Sequence, residues 1–230
     1  MKNYNEVHLN ILTDAKKVYF NQLNNSIKNT IYEIFYDLYK KSLKESNRKV
    51  VDIFKKKLSN IPTWDDEKIN CIINKLYNYL TNEKLTNLIR ALIVTNTKIL
   101  ASVKMNKNKI TSLSLNIPSN KKVIQTLLIQ CAREFYKNIS LFDNYAKISD
   151  KRMNLKECFN IISESLTNTI EEFIPINDII KQNLLEHTEF DGSSEEELET
   201  DEELETDDEL ETDDEPDENI IDNELPKEVV

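Results

Sequence analysis

Glycine is nearly absent: the 230-residue chain carries one, Gly192, beyond its last apolar-periodic segment. Phosphate-cradling loops need glycine, because their backbone approaches an anion closely and adopts positive φ angles that a Cβ resists. A P-loop, a dinucleotide fingerprint and a nucleophile elbow are therefore missing in standard form. Histidine is almost as scarce, with His8 and His187 alone. Cys71, Cys131 and Cys158 are odd in number, far apart and without zinc-site spacing, so they read as buried, reduced thiols rather than a disulfide framework. No cofactor or metal is expected. No apolar run approaches the roughly 18 residues of a membrane span. Met1–Glu6 lacks the basic and then apolar pattern of a secretory signal, so a soluble, non-secreted protein is expected.

What is abundant is charge, and it is unevenly placed. From residue 187 on there are 22 Asp and Glu against Lys227, a net of −21; residues 1–186 hold 29 Lys and Arg against 19 acids, a net of +10. The whole-chain value of −11 describes neither part. Two regions follow: a basic domain over 1–186 and an acidic tail over 187–230. The tail holds a six-residue repeat, Glu197–Glu202, Glu203–Asp208 and Glu209–Asp214, with leucines at 198, 204 and 210. Six matches no helical period. The tail has too little apolar surface to offset a chain entropy of about 1–2 kcal/mol per residue, so a disordered tail is expected.

The body reads as mainly α, an irregular helical bundle with one short β-hairpin or strand segment. Apolar residues recur at helical spacing through Val7, Ile11, Ala15, Val18 and Leu23, then through Ile27, Ile31, Ile34, Phe35 and Leu38. A shorter helix carries Val50, Val51, Phe54 and Leu58 and stops at Ile61-Pro62. Thr63 is the expected N-cap of the next, with Asp65, Asp66 and Glu67 in its first turn. Its buried face is Ile69, Ile72, Ile73, Leu76, Tyr77 and Leu80. Leu85 to Val103 form the most regular stripe, interrupted by Asn96. Met105–Lys109 reads as a turn, and Leu113, Leu115 and Ile117 alternate as a strand would. Ser119 then caps a helix ending near Asn138, and a last long helix follows a loop through Asp150 and ends before Pro175.

Paired carboxylates are the remaining route to catalysis, at Asp65–Glu67 and Glu171–Glu172. Both have plain readings as capping and solvated-face charges, so the chain is expected not to be an enzyme. The most distinctive string is Cys131 to Asp143, where Arg133 and Lys137 share one helical side beside Phe135, Tyr136 and Phe142. One reading has the aromatics anchoring the helix end while the charges face water. The other makes these five residues an interaction site, with Arg133 a bidentate donor to a carboxylate or phosphate. In the tail, Ser193, Ser194, Thr200, Thr206 and Thr212 precede acids as acidophilic kinase sites do, and each phosphate adds about −1.5 to −2 charge.

Three strings carry a resemblance: Val7-His8-Leu9 with Asp14 to Tyr19; Lys98 to Val103 with Asn116-Ile117-Pro118; and Ala132-Arg133-Glu134-Phe135. In these the chain resembles an uncharacterised family of giant nucleocytoplasmic large DNA viruses, over most of residues 5–186. The family pattern often has proline where this chain has Ile139. The resemblance implies no activity, catalytic residue or cofactor. It implies a viral setting: host cytoplasm at the viral factory, or the virion. The expected function is a non-catalytic structural or interaction protein with protein partners. The alternative is a nucleic-acid binder acting through Lys40-Lys41, Lys44, Arg48-Lys49, Lys55–Lys57, Lys104–Lys109 and Lys121-Lys122, its basic surface shielded by the acidic tail.

Overall fold

From Lys2 to Glu45 the sequence holds no proline and no glycine, and nothing in it stops a helix once begun. The computed structural model, which describes residues 2–104 and 115–181, accordingly has one 44-residue helix here, α1 (Lys2–Glu45), where the apolar pattern suggests two. Polar residues at the expected break are absorbed into the helix: Ser26 Oγ donates to the Gln22 carbonyl at 2.8 Å, and Lys28 Nζ to Asn25 Oδ1 at 2.8 Å. Five further helices follow: α2 (Val50–Ser59), α3 (Asp66–Leu76), α4 (Asn82–Lys104), α5 (Asn120–Lys137) and α6 (Ile148–Glu172). Residues 176–181 are helical as well.

Helix α1 packs against α2, α3, α4 and α6, while α5 packs against α2, α3, α4 and α6. The main core therefore lies between α1 and α5. It holds Leu23, Ile27, Ile31, Phe35 and Tyr39 of α1, Phe54 and Leu58 of α2, the isoleucines of α3, and Leu127, Cys131 and Phe135 of α5. At its centre the aromatics meet edge to face: Phe35 and Phe135 at 4.8 Å, Phe54 and Phe142 at 5.0 Å, Phe135 and Phe142 at 5.1 Å. Such contacts add about 0.5–1.5 kcal/mol per pair beyond area burial. A smaller cluster joins Ala101 of α4 to Ile174 and Ile179.

Several helix ends sit where local chemistry puts them. Ser119 caps α5, its hydroxyl accepting from the Lys122 amide at 3.3 Å, and α5 ends at Lys137. The cap of α3 is Asp65, which accepts from the Lys68 amide at 2.9 Å, rather than Thr63. Pro62 starts a 3-10 turn over Ile61–Thr63 and Thr63 Oγ1 is used within it, donating to the Asn60 carbonyl at 2.8 Å. The α3 helix therefore begins two residues later. Asn96, the polar interruption of α4, is buried and donates Nδ2 to the Leu92 carbonyl at 2.8 Å.

Among the described residues there is no strand. The expected turn at Met105–Lys109 and the start of the strand segment lie outside them, and residues 115–119 are irregular. The acidic tail, with Ser193, Ser194, Thr200, Thr206 and Thr212, also lies outside the described residues.

Candidate surface groove beside helix α5

Helical geometry divides the five candidate residues of the Cys131–Asp143 string. Each residue turns about 100° around the axis, so neighbours in sequence face different ways. Phe135 points into the aromatic core, and Phe142, on a 3-10 turn over Ile139–Phe142, closes over it; both are buried. They belong to the core, while Arg133, Tyr136 and Lys137 are exposed. Ile139 opens this turn, a first-turn position that proline also suits.

Arg133, Tyr136 and Lys137 face outward instead. With Ile129 and Ala132 they form one wall of a groove whose other wall is Leu58, Ser59 and Pro62, enclosing about 310 Å³. The lining is mostly apolar. Tyr136 is 45 % exposed, and Lys55 of α2 reaches its ring with Nζ 5.2 Å from the centroid. Lys137 Nζ sits 2.7 Å from Glu134 Oε1. Among the described residues Arg133 has no ion-pair partner. Charge thus stands at the rim and aliphatic surface on the floor, with about the space for one or two inserted side chains.

The acidic candidates have structural roles. Asp65 caps α3, Asp66 pairs with Lys121, and Glu172 accepts from Gln130 Nε2 at 3.1 Å. Cys131 and Cys158 are buried, and burial pushes each thiol up to about 12, away from thiolate chemistry. Cys71 departs from expectation: it lies on the outer face of α3 and is exposed. Tyr32, stacked on Tyr36 at 5.7 Å, is likewise raised to about 12 by burial.

Some of the basic residues are already paired. Lys40 meets Asp37 at 3.5 Å, and Lys57 meets Glu45 at 2.5 Å. Lys68 lies over the Trp64 ring at 3.9 Å. Its pKa is lowered, first by desolvation and then by repulsion from Lys41 and Lys57, while Asp65 opposes the shift. Lys68 is the ammonium that lies over the indole. Lys107 and Lys109 lie outside the described residues.

A family model described as a family of unknown function, DUF5764, matches residues 9–143, more than half of the chain. The chain belongs to DUF5764. The DUF5764 match takes in both walls of the groove and most of the aromatic cluster, and stops before α6. No curated protein and no solved structure matches the chain.

Sequence reasoning found one wall of the groove and missed the other. Ile129, Arg133 and Tyr136 stand at i, i+4 and i+7, a spacing visible on α5. Leu58, Pro62 and Lys55 come from a segment some seventy residues earlier, and only folding brings them to the site.

Proposed function

We propose that the chain is a non-catalytic interaction protein that holds a protein partner through the groove between α2 and α5. The observation that carries this reading is Arg133, exposed beside an apolar floor and without an ion pair among the described residues. Polar side chains at the rim of an apolar patch suit a binding surface: the floor supplies area and the arginine supplies orientation. A virion or viral-factory component in the host cytoplasm is the setting proposed from the resemblance in the Val7–Tyr19, Lys98–Pro118 and Ala132–Phe135 strings. The test places a photo-crosslinking phenylalanine at position 136 of the full chain in its cellular setting. A discrete adduct, lost when Arg133→Glu is added, is expected; the absence of any discrete adduct overturns the reading. For the setting, the chain should be found in purified particles or factories, and its absence from both removes the viral assignment.

A second reading, nucleic-acid binding, is favoured by Lys68 over the Trp64 ring, where repulsion from Lys41 and Lys57 contributes to lowering its pKa. Phosphates would neutralise that repulsion and release counterions. A chain ending at residue 186 should then bind an oligonucleotide with an affinity that falls steeply with salt, and more tightly than the full chain with its acidic tail. Salt-insensitive binding, or none, removes this reading.

A further inference from the structure

We propose that the groove between α2 and α5 docks an acidic peptide segment of a partner protein, one that presents a leucine or similar aliphatic anchor between carboxylates. This rests on the interaction reading above and names the chemistry of its partner. The floor, Leu58, Pro62, Ile129 and Ala132, offers an inserted side chain only aliphatic contacts. At about 310 Å³ the space is at the small end for a ligand and suits an anchor residue better than a cofactor. The rim carries Arg133, Lys137 and Lys55, and their charge selects what flanks the anchor.

Three other occupants fit less well. A purely apolar partner would cover Arg133 and leave a desolvated cation without a counter-charge. A nucleic-acid base would need an open aromatic face, but Lys55 lies over the Tyr136 ring and the rest of the lining is not aromatic. A basic segment meets repulsion at the rim. Carboxylates on either side of an aliphatic residue answer both features: Arg133 can take one bidentately while the anchor seats between Pro62 and Ile129. Lys137, held by Glu134 at 2.7 Å, contributes less than Arg133.

The probe is a fluorescent synthetic peptide with the sequence of residues 197–214, whose leucines each lie between glutamates. The receptor is the full chain carrying Leu198→Ser, Leu204→Ser and Leu210→Ser, so that the added peptide is the only source of this motif in the tube. Saturable binding by fluorescence anisotropy at low salt is expected. Arg133→Glu should weaken it about tenfold or more, and Ile129→Asp similarly. Lys98→Glu, on exposed α4 surface away from the groove, should change it less than about twofold. A peptide with its three leucines replaced by serine should bind about tenfold more weakly. Arg133 is exposed, so a thermal melt of Arg133→Glu that matches the parent separates loss of binding from loss of fold. Three results overturn the inference: no binding, equal binding of the leucine and serine peptides, or equal effects of Arg133→Glu and Lys98→Glu. Displacement of the peptide by an oligonucleotide whose own binding is sensitive to Arg133→Glu also overturns it, in favour of nucleic acid. If the peptide fails while the crosslink at position 136 persists, the interaction reading stands and only this partner chemistry falls.

Discussion

The two halves of helix α1 carry the same kind of sequence and have different fates. Between Leu23 and Tyr39 the residues Leu23, Ile27, Ile31, Ile34, Phe35 and Tyr39 are all buried, under the helices packed on α1 and the aromatic cluster. Nearer the N-terminus Val7 is 56 %, Ile11 61 % and Val18 52 % exposed. Spacing of apolar residues decides that a helix forms and which side is apolar. Burial depends on whether other helices reach that side. Here Val7, Ile11 and Val18 lie about half a turn from Ile27, Ile31 and Ile34, while α4 and α6 line a cavity with Lys16, Lys17 and Phe20 on α1.

Four measurements would break or sharpen that contrast. The largest effect is expected at Phe35, which is fully buried against Phe135: Phe35→Ala should cost about 3–5 kcal/mol in denaturant unfolding, and a loss below about 1 would mean the cluster is not the core.

Alkaline pH should act on the buried half next. Tyr32, Cys131 and Cys158 keep their protons up to about 12 in the folded chain, whereas ordinary values are 10 for tyrosine and 9 for cysteine. Between those values the folded state binds more protons than the unfolded one, so the free energy of unfolding falls as pH rises. Full stability is expected below pH 9, with a decline from there to about 12 that is shallower in Cys131→Ala. A decline of equal steepness in that variant would show that the cysteine is not its source.

Thr30 offers a smaller and opposite change. It is 3 % exposed, and its hydroxyl has no hydrogen-bond partner among the described residues. Thr30→Val keeps the shape and removes the unpaired group, so stability should rise by up to about 1 kcal/mol. A loss of more than that in calorimetry would mean the hydroxyl is used. The smallest effect belongs to the exposed stripe: Ile11→Ser should change stability by less than about 0.5 kcal/mol.

Elements whose limits are set locally were legible in the sequence. Pro62 ends the α2 segment, Ser119 caps α5, and the isoleucines of α3 face inward as their spacing requires. Misreadings arose where neighbours in space decide. The two apolar stripes of α1 lie about half a turn apart around the axis, yet one unbroken backbone carries both. Cys71 has apolar neighbours in sequence and none of their burial, because Ile72 and Ile73 turn inward and it turns out. At the groove, Arg133 and Tyr136 could be named from one helix, yet Phe135 and Phe142 belong to the core, and the opposite wall at Leu58 and Pro62 is non-local.

The long reach of α1 also bears on how the chain is made. Asn24 accepts a hydrogen bond from Ser163 Oγ, 139 residues later, at 3.1 Å. At about 5–20 residues per second of synthesis, α1 waits roughly 7–28 s for its last covering helix to be made. Until α6 is made, the part of the α1 surface that α6 covers stays exposed on the nascent chain. A chaperone that recognises apolar helix faces would have that interval in which to engage the chain before α6 covers α1.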